Sequence, residues 1–133
     1  MQIRELSSSE FEEGFVLLSH LHPDLTSEQF NAFLASHSPQ TYRPIGAYER
    51  GVLCLYAGVS IHENLELGRY LLIDDFVVRE EDEKNAGEMI EFLGAYAKLH
   101  RCRTILLWGK HRGLRIEALK GFRPKRDGFI KTL

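Results

Sequence analysis

The sequence predicts a mixed α/β fold, one sheet packed against helices, in the order β-α-α-β-β-β-α-β-α-β. Three observations predict it. Apolar residues recur at helical spacing in two stretches near the N-terminus and again over 84–100. Between these stretches, residues 43–78 are rich in β-branched, aromatic and aliphatic side chains, punctuated by "ERG" and "ENLELG". Beyond the third helical stretch, "RTILLW" at 103–108 has the unbroken apolar run of a central strand.

Taken in order, "IREL" at 3–6 is a short strand. Ser9 followed by Glu12 has the spacing of a capping box, in which each side chain satisfies the other residue's free N–H. Phe11, Phe15, Leu18 and Leu21 then mark the inner face of a first helix that Pro23 ends. Thr26 and Gln29 repeat the capping pattern. Phe30, Phe33 and Leu34 give the second helix its apolar face, and Pro39 closes it. Three strands of a meander follow, at about 43–49, 51–62 and 69–78. On the third helix, over 84–100, Ala86, Met89, Ile90, Leu93, Tyr96, Ala97 and His100 share one side. "RGLRIEALKGF" reads as a short helix with Gly121 as its C-cap, and "FIKTL" at 129–133 as a last strand.

The 133 residues suit a single domain over 1–133 with a core of its own. No stretch is long and apolar enough for a transmembrane helix. The N-terminus lacks the basic head and apolar run of a signal peptide. Cys54 and Cys102 each lie in an apolar strand-like context, which gives no disulfide framework and suits a reducing cytoplasm. Charge is divided unevenly: residues 1–97 carry 6 Lys/Arg against 17 Asp/Glu, and residues 98–133 carry 11 against 2. The basic quarter is interleaved with Ile105, Leu106, Leu107, Trp108, Leu114, Ile116 and Phe122. It therefore reads as a folded segment whose charges solvate a surface or face a phosphorylated small molecule, rather than as a nucleic-acid-binding tail. The division suits head-to-tail association or a symmetric homodimer and fixes neither.

The chemistry-bearing stretch is "VVREEDEKNAGEMIEF", residues 77–92, where a hydrophobic strand passes through an acidic loop into a helix. With "LLIDDFVV" before it, "AGEMIEFL" after it, the strand "RTILLW" and the closing "IEALKGF", nearly the whole chain resembles the GNAT superfamily of acyl-CoA-dependent N-acyltransferases. That family's pyrophosphate loop is Arg or Gln, two residues, Gly, one residue, then Gly or Ala. Laid on this chain, the six positions are Asp82, Glu83, Lys84, Asn85, Ala86 and Gly87, in a loop about one residue shorter than the family's. Gly87 matches. Asn85 stands for a glycine, and asparagine is the residue that best tolerates a left-handed backbone in its place. Asp82 stands where a cation or amide belongs.

Two readings of this loop stay open. In one, the acids serve the helix N-terminus, where carboxylates interact well with the macrodipole. In the other, the carboxylates point outward, and Lys84, with Lys110 or Arg112 from across the sheet, supplies positive charge to coenzyme A. Two unit charges about 6 Å apart at an effective dielectric near 20 interact by roughly 3 kcal/mol, so one misplaced carboxylate weakens binding by on the order of a hundredfold.

The resemblance implies acetyl-CoA as acyl donor, direct attack by a small-molecule or protein amine, and no metal. It implies a backbone N–H near Phe76, Val77 and Val78 as oxyanion donor, and an acidic residue of the same strand as base. Asp74 and Asp75 are the candidates. As strand neighbours they are expected to point to opposite faces, with Asp74 favoured because it shares a face with Phe76 and Val78. The family's general-acid tyrosine is absent: Glu117 takes its position, which leaves His111 or water. The first two helices, with residues about 21–26, are expected to shape the acceptor pocket. A catalytically inactive GNAT-fold regulatory or partner-binding protein is the alternative. Among the remaining features, His20 and His22 have poor metal spacing, Cys54 and Trp108 read as core, and "FRPKRDGF" reads as a basic hairpin.

Overall fold

The computed structural model describes residues 1–108, 111–114, 116–125 and 128–133. Eight strands form one sheet: β1 (Gln2–Glu5), β2 (Arg43–Glu49), β3 (Val52–Asn64), β4 (Gly68–Val78), β5 (Thr104–Leu107), β6 (His111–Arg112), β7 (Arg123–Lys125) and β8 (Gly128–Thr132). The helices are α1 (Phe11–Leu18), α2 (Ser27–His37) and α3 (Ala86–Leu99). The spatial order is β1-β2-β3-β4-β5-β8-β7, with β6 paired to β4. All pairs are antiparallel except β4–β5 and β4–β6, which are parallel.

The sheet buries both faces. On one, Ile45, Leu55, Leu71, Ile73, Phe76 and Ile105 meet Met89 and Leu93 of α3. On the other, Tyr42, Tyr56 and Val77 meet Leu17, Leu18, Phe30 and Leu34 of α1 and α2. The Thr26–Gln29 box opens α2 as expected, with the Thr26 N–H donating to Gln29 Oε1 at 2.9 Å and the Gln29 N–H to Thr26 Oγ1 at 3.1 Å. The first box falls instead on Ser7 and Glu10, opening a 3₁₀ turn ahead of α1. The spacing Ser-x-x-Glu fits both pairs. Glu10 prevails because its carboxylate also takes a two-point ion pair from Arg4 of β1, which holds it well below the usual carboxylate range.

Two further expectations are corrected. The closing helix is a single 3₁₀ turn, Ile116–Leu119, although Gly121 behind it has the left-handed φ of +83° expected of it. Trp108 is 39% exposed, because β4 and β5 stop pairing at Ile73–Leu107, just before it. The basic hairpin is present as β7–β8. Both cysteines are free and buried, and burial raises both thiol pKa values. Among the described residues, no helix is long and apolar enough to cross a membrane.

Candidate active site

The site begins with an irregularity in β4. Asp75 pairs with Gly58 and Ile73 with Val59, so Asp74 is an extra residue with no partner across β3. Such a bulge interrupts the alternation of faces. Ile73 and Phe76 both enter the core under α3, and the two aspartates between them both turn to the α1–α2 face. This corrects two expectations at once: Asp74 and Asp75 do not point apart, and Asp74 does not share a face with Phe76 and Val78. Gly58, an isolated glycine inside an apolar strand, was the sequence signal for the bulge.

Each carboxylate ends a chain of hydrogen bonds. Asp75 Oδ2 accepts from the Tyr42 hydroxyl at 2.9 Å, and Asp75 Oδ1 lies 2.8 Å from His22 Nε2. The Tyr42 and Tyr56 hydroxyls are 2.8 Å apart; because Tyr42 gives its proton to Asp75, Tyr56 donates to Tyr42. Burial raises both phenol pKa values, which keeps this chain protonated. Gly58 makes room for it, since a Cβ there would stand 1.7 Å from the Tyr42 oxygen. On the other aspartate, Ser60 Oγ donates to Asp74 Oδ2 at 2.7 Å, and His62 Nε2 donates to Ser60 Oγ at 2.8 Å. Burial raises the Asp74 pKa; the Ser60 bond opposes this and the charge of Asp75 adds to it. Tyr42, Tyr56, Ser60 and His22 belong to the site and were not legible as such, because they converge from the residue before β2, from β3 and from the turn after α1.

A cavity of about 390 Å³ opens above Asp75 between α1 and α2. Leu18, Leu25, Phe30 and Phe33 wall it, and His22, Gln29, Tyr42 and Asp75 supply its polar atoms. A second cavity, of about 310 Å³, lies at the end of β4. Val77, Val78 and Arg79 line it with Leu17 and His20 of the α1 end, together with Glu80, Glu81 and Arg112. The last turn of α1 therefore stands between the two cavities, with His20 on one and His22 on the other.

The acidic loop divides between the two sequence readings: Glu80 and Glu81 point outward, and Asp82 turns inward. Residues 80–85 form a 3₁₀ helix. Asn85 is right-handed at φ −89°, so no left-handed turn is made there. Asp82, only 8% exposed, turns inward to Arg79, with its Oδ2 2.6 Å from Nη2 and 2.8 Å from Nε. A cation one turn earlier in the chain thus neutralises the aspartate that stands at the family's cation position. Glu80 and Glu81 stay exposed.

For the other predicted residues, Lys84 is exposed and Ala86, the first residue of α3, is fully buried. Gly87 faces open space on a groove along α3. Asn85 places no side-chain bond on the start of α3. Phe76 and Val77 pair in register with His111 and Arg112. Gly113 presses on the strand end so closely that a Cβ there would lie 2.2 Å from Val78 Cγ1. The edge of β4 assigned to the thioester is thus covered by residues 111–113. His111 is exposed and lines neither cavity. Lys110 and the side chain of Glu117 lie outside the described residues. No group of three or more His, Cys, Asp or Glu suited to a metal occurs among the described residues.

The residues present offer coenzyme A two cations, Arg112 at the strand-end cavity and Lys84 in the turn; the start of α3 continues the 3₁₀ helix before it, whose Glu83 carbonyl already takes the Ala86 N–H.

Compared by sequence, the chain matches no family model and no curated protein. Compared by structure, it resembles many N-acetyltransferases. A GNAT family acetyltransferase of Staphylococcus aureus superposes with a TM-score of 0.68 at 18% identity, over 82% of this chain and 86% of that one. Glucosamine-6-phosphate N-acetyltransferase of Arabidopsis thaliana gives 0.65 at 22% identity, over 82% of each chain. AAC(6')-Iy, in complex with the bisubstrate analogue CoA-S-monomethyl-acetylneamine, gives 0.71 at 16% identity, over 82% of this chain and 79% of that one. The chain therefore has the GNAT fold.

Proposed function

We propose that this protein is an N-acetyltransferase that moves an acetyl group from acetyl-CoA to a primary amine by direct attack. The observation that carries this reading is the Asp75–His22 pair, held by Tyr42 in a cavity that a single turn of α1 divides from the strand-end cavity. Bound acetyl-CoA supplies an activated acetyl carbonyl with a thiolate leaving group.

In this mechanism the chain's residues have separate tasks. Asp75 receives the acceptor's ammonium and orients it. His22, bonded to Asp75, takes the proton that must leave before nitrogen can attack, and passes it to solvent through its exposed side. Asp75 is preferred to Asp74 because it lines the cavity, whereas Asp74 is tied to Ser60. Backbone N–H groups of Phe76–Val78 stabilise the oxygen that becomes negative. Arg112, Lys84 and the open backbone at Gly87 hold the diphosphate, once residues 111–113 yield the edge of β4. His111, on that segment, reaches the departing sulfur only after such a shift, and otherwise water protonates it.

One observation favours the second reading, a GNAT-fold binding protein without catalysis. The edge of β4 is already paired with residues 111 and 112, and Glu80 and Glu81 line the strand-end cavity. Thiol release from acetyl-CoA in the presence of amines separates the two. Amine-dependent release that Asp75→Asn abolishes supports the enzyme; acetyl-CoA that neither binds nor turns over supports the binding protein.

A further inference from the structure

We infer that the acceptor is a monoamine with a compact, aromatic or branched apolar body, not a polycation or a sugar amine. The inference rests on the transferase reading for its chemistry and on the α1–α2 cavity for its specificity.

The walls come first. Leu18, Leu25, Phe30 and Phe33 are apolar, and Phe30 is backed edge-on by Phe11 and Tyr56, with ring centroids 6.5 and 6.3 Å away. Phe33, 40% exposed, is edge-on to Tyr42 at 4.9 Å and stacked on His37 at 4.2 Å. It presents an aromatic face at the mouth of an otherwise buried cluster. A flat or branched apolar group entering here gains both area burial and edge-to-face contact.

The polar groups set the other limit. Among the described residues Asp75 is the only carboxylate lining the cavity, so it pairs with one ammonium. A second or third ammonium on the same molecule would be desolvated against leucine and phenylalanine with no counter-charge. Hydroxyls fare little better. The Tyr42 oxygen already donates to Asp75 and accepts from Tyr56, and Gln29 Oε1 already accepts from the Thr26 N–H, which leaves the Gln29 amide N–H groups and His22 against the several hydroxyls of a sugar. Each sugar hydroxyl buried without a partner weakens binding by about tenfold or more. The volume, about 390 Å³, lies near the small end of the range that holds a drug-sized ligand.

The test uses the full chain, with 2-phenylethylamine, spermidine and glucosamine 6-phosphate as probes. Amide and side-chain resonances of Leu18, Phe30 and Phe33 are followed as each amine is added alone, and thiol release from acetyl-CoA is followed separately. The expected result is a shift of those resonances by phenylethylamine only. With it, kcat/KM for phenylethylamine should exceed that for either other amine by about thirtyfold or more, and Phe33→Ala should raise its KM about tenfold. Preference for spermidine or the sugar, or no shift at millimolar phenylethylamine, overturns the inference. Shifts without thiol release leave the cavity's specificity standing and refute transfer; thiol release to a different amine does the reverse.

Discussion

His22 and Asp75 are 53 residues apart in sequence and 2.8 Å apart in space, joined Nε2 to Oδ1. His22 lies in the turn after α1, Asp75 on the bulge of β4, and between them they turn an apolar cavity into one with a proton acceptor at its base. If this pair performs the deprotonation, Asp75→Asn, which loses the carboxylate that orients both the ammonium and His22, lowers kcat/KM by about tenfold or more. His22→Gln lowers kcat by roughly 10²–10⁴-fold, the ordinary range for a general base. A His22→Gln enzyme that keeps the parent kcat would remove His22 from the proton path.

Tyr42 ties the site to the fold. Tyr42→Phe removes the donor to Asp75 and the acceptor of Tyr56 together, and the expected loss of stability in urea is about 1–3 kcal/mol. Gly58→Ala attacks the same contact from the other side, because its Cβ would stand 1.7 Å from the Tyr42 oxygen. The phenol must swing away, so the variant loses activity as well as stability. Full activity in Gly58→Ala would contradict the role given to Tyr42.

Asp74 gives a dependence on pH of defined sign. Burial raises its folded pKa, so the folded chain holds this proton more tightly than the unfolded chain does. The associated stability is complete below the unfolded aspartate value of about 3.9 and is lost as pH rises through the higher folded value. Asp74→Asn, which keeps an acceptor for Ser60, should therefore be more stable than the parent at pH 7, by a margin that closes in acid. Ser60→Ala should be less stable at pH 7 than in acid, relative to the parent. Melting temperatures of the three proteins across pH 3–8 check both signs.

Arg79 and Asp82 make opposite predictions for stability and for binding. Arg79→Ala leaves the buried Asp82 carboxylate without its partner and costs about 1–3 kcal/mol, read from urea unfolding. Asp82→Asn removes a negative charge near the proposed diphosphate site and frees Arg79. It should tighten acetyl-CoA by about threefold to tenfold, less at high salt. Weaker binding in Asp82→Asn would mean that Arg79, as Asp82 now holds it, is not in competition with the ligand.

Much of the architecture could be read from residue order, and the reasons are local. The β2–β4 meander is announced by composition and by glycine-containing turns, and the face of α3 by apolar spacing, so both fall where expected. The Thr26–Gln29 cap needs only four residues to specify it. The site is a different matter. The facing of Asp74 depended on a bulge whose only trace was Gly58. Asp82 read as a misplaced charge because its partner, Arg79, lies outside the six-residue motif. His22 looked like half of a poor metal pair until the fold set Asp75 beside it. Strand β6 was also missed: two residues paired along an occupied edge leave no hydrophobic signature.

The central claim is that this fold still receives acetyl-CoA at the end of β4, despite the acids of 80–83 and the pairing of residues 111 and 112 with that edge. Titration of the amide resonances of the isotope-labelled chain with acetyl-CoA tests it most directly. Acetyl-CoA seated there gives saturable shifts at Phe76–Val78, Asn85–Gly87 and His111–Gly113, with a dissociation constant in the micromolar range. Resonances that stay in place at millimolar acetyl-CoA would contradict it and leave a GNAT fold put to another use.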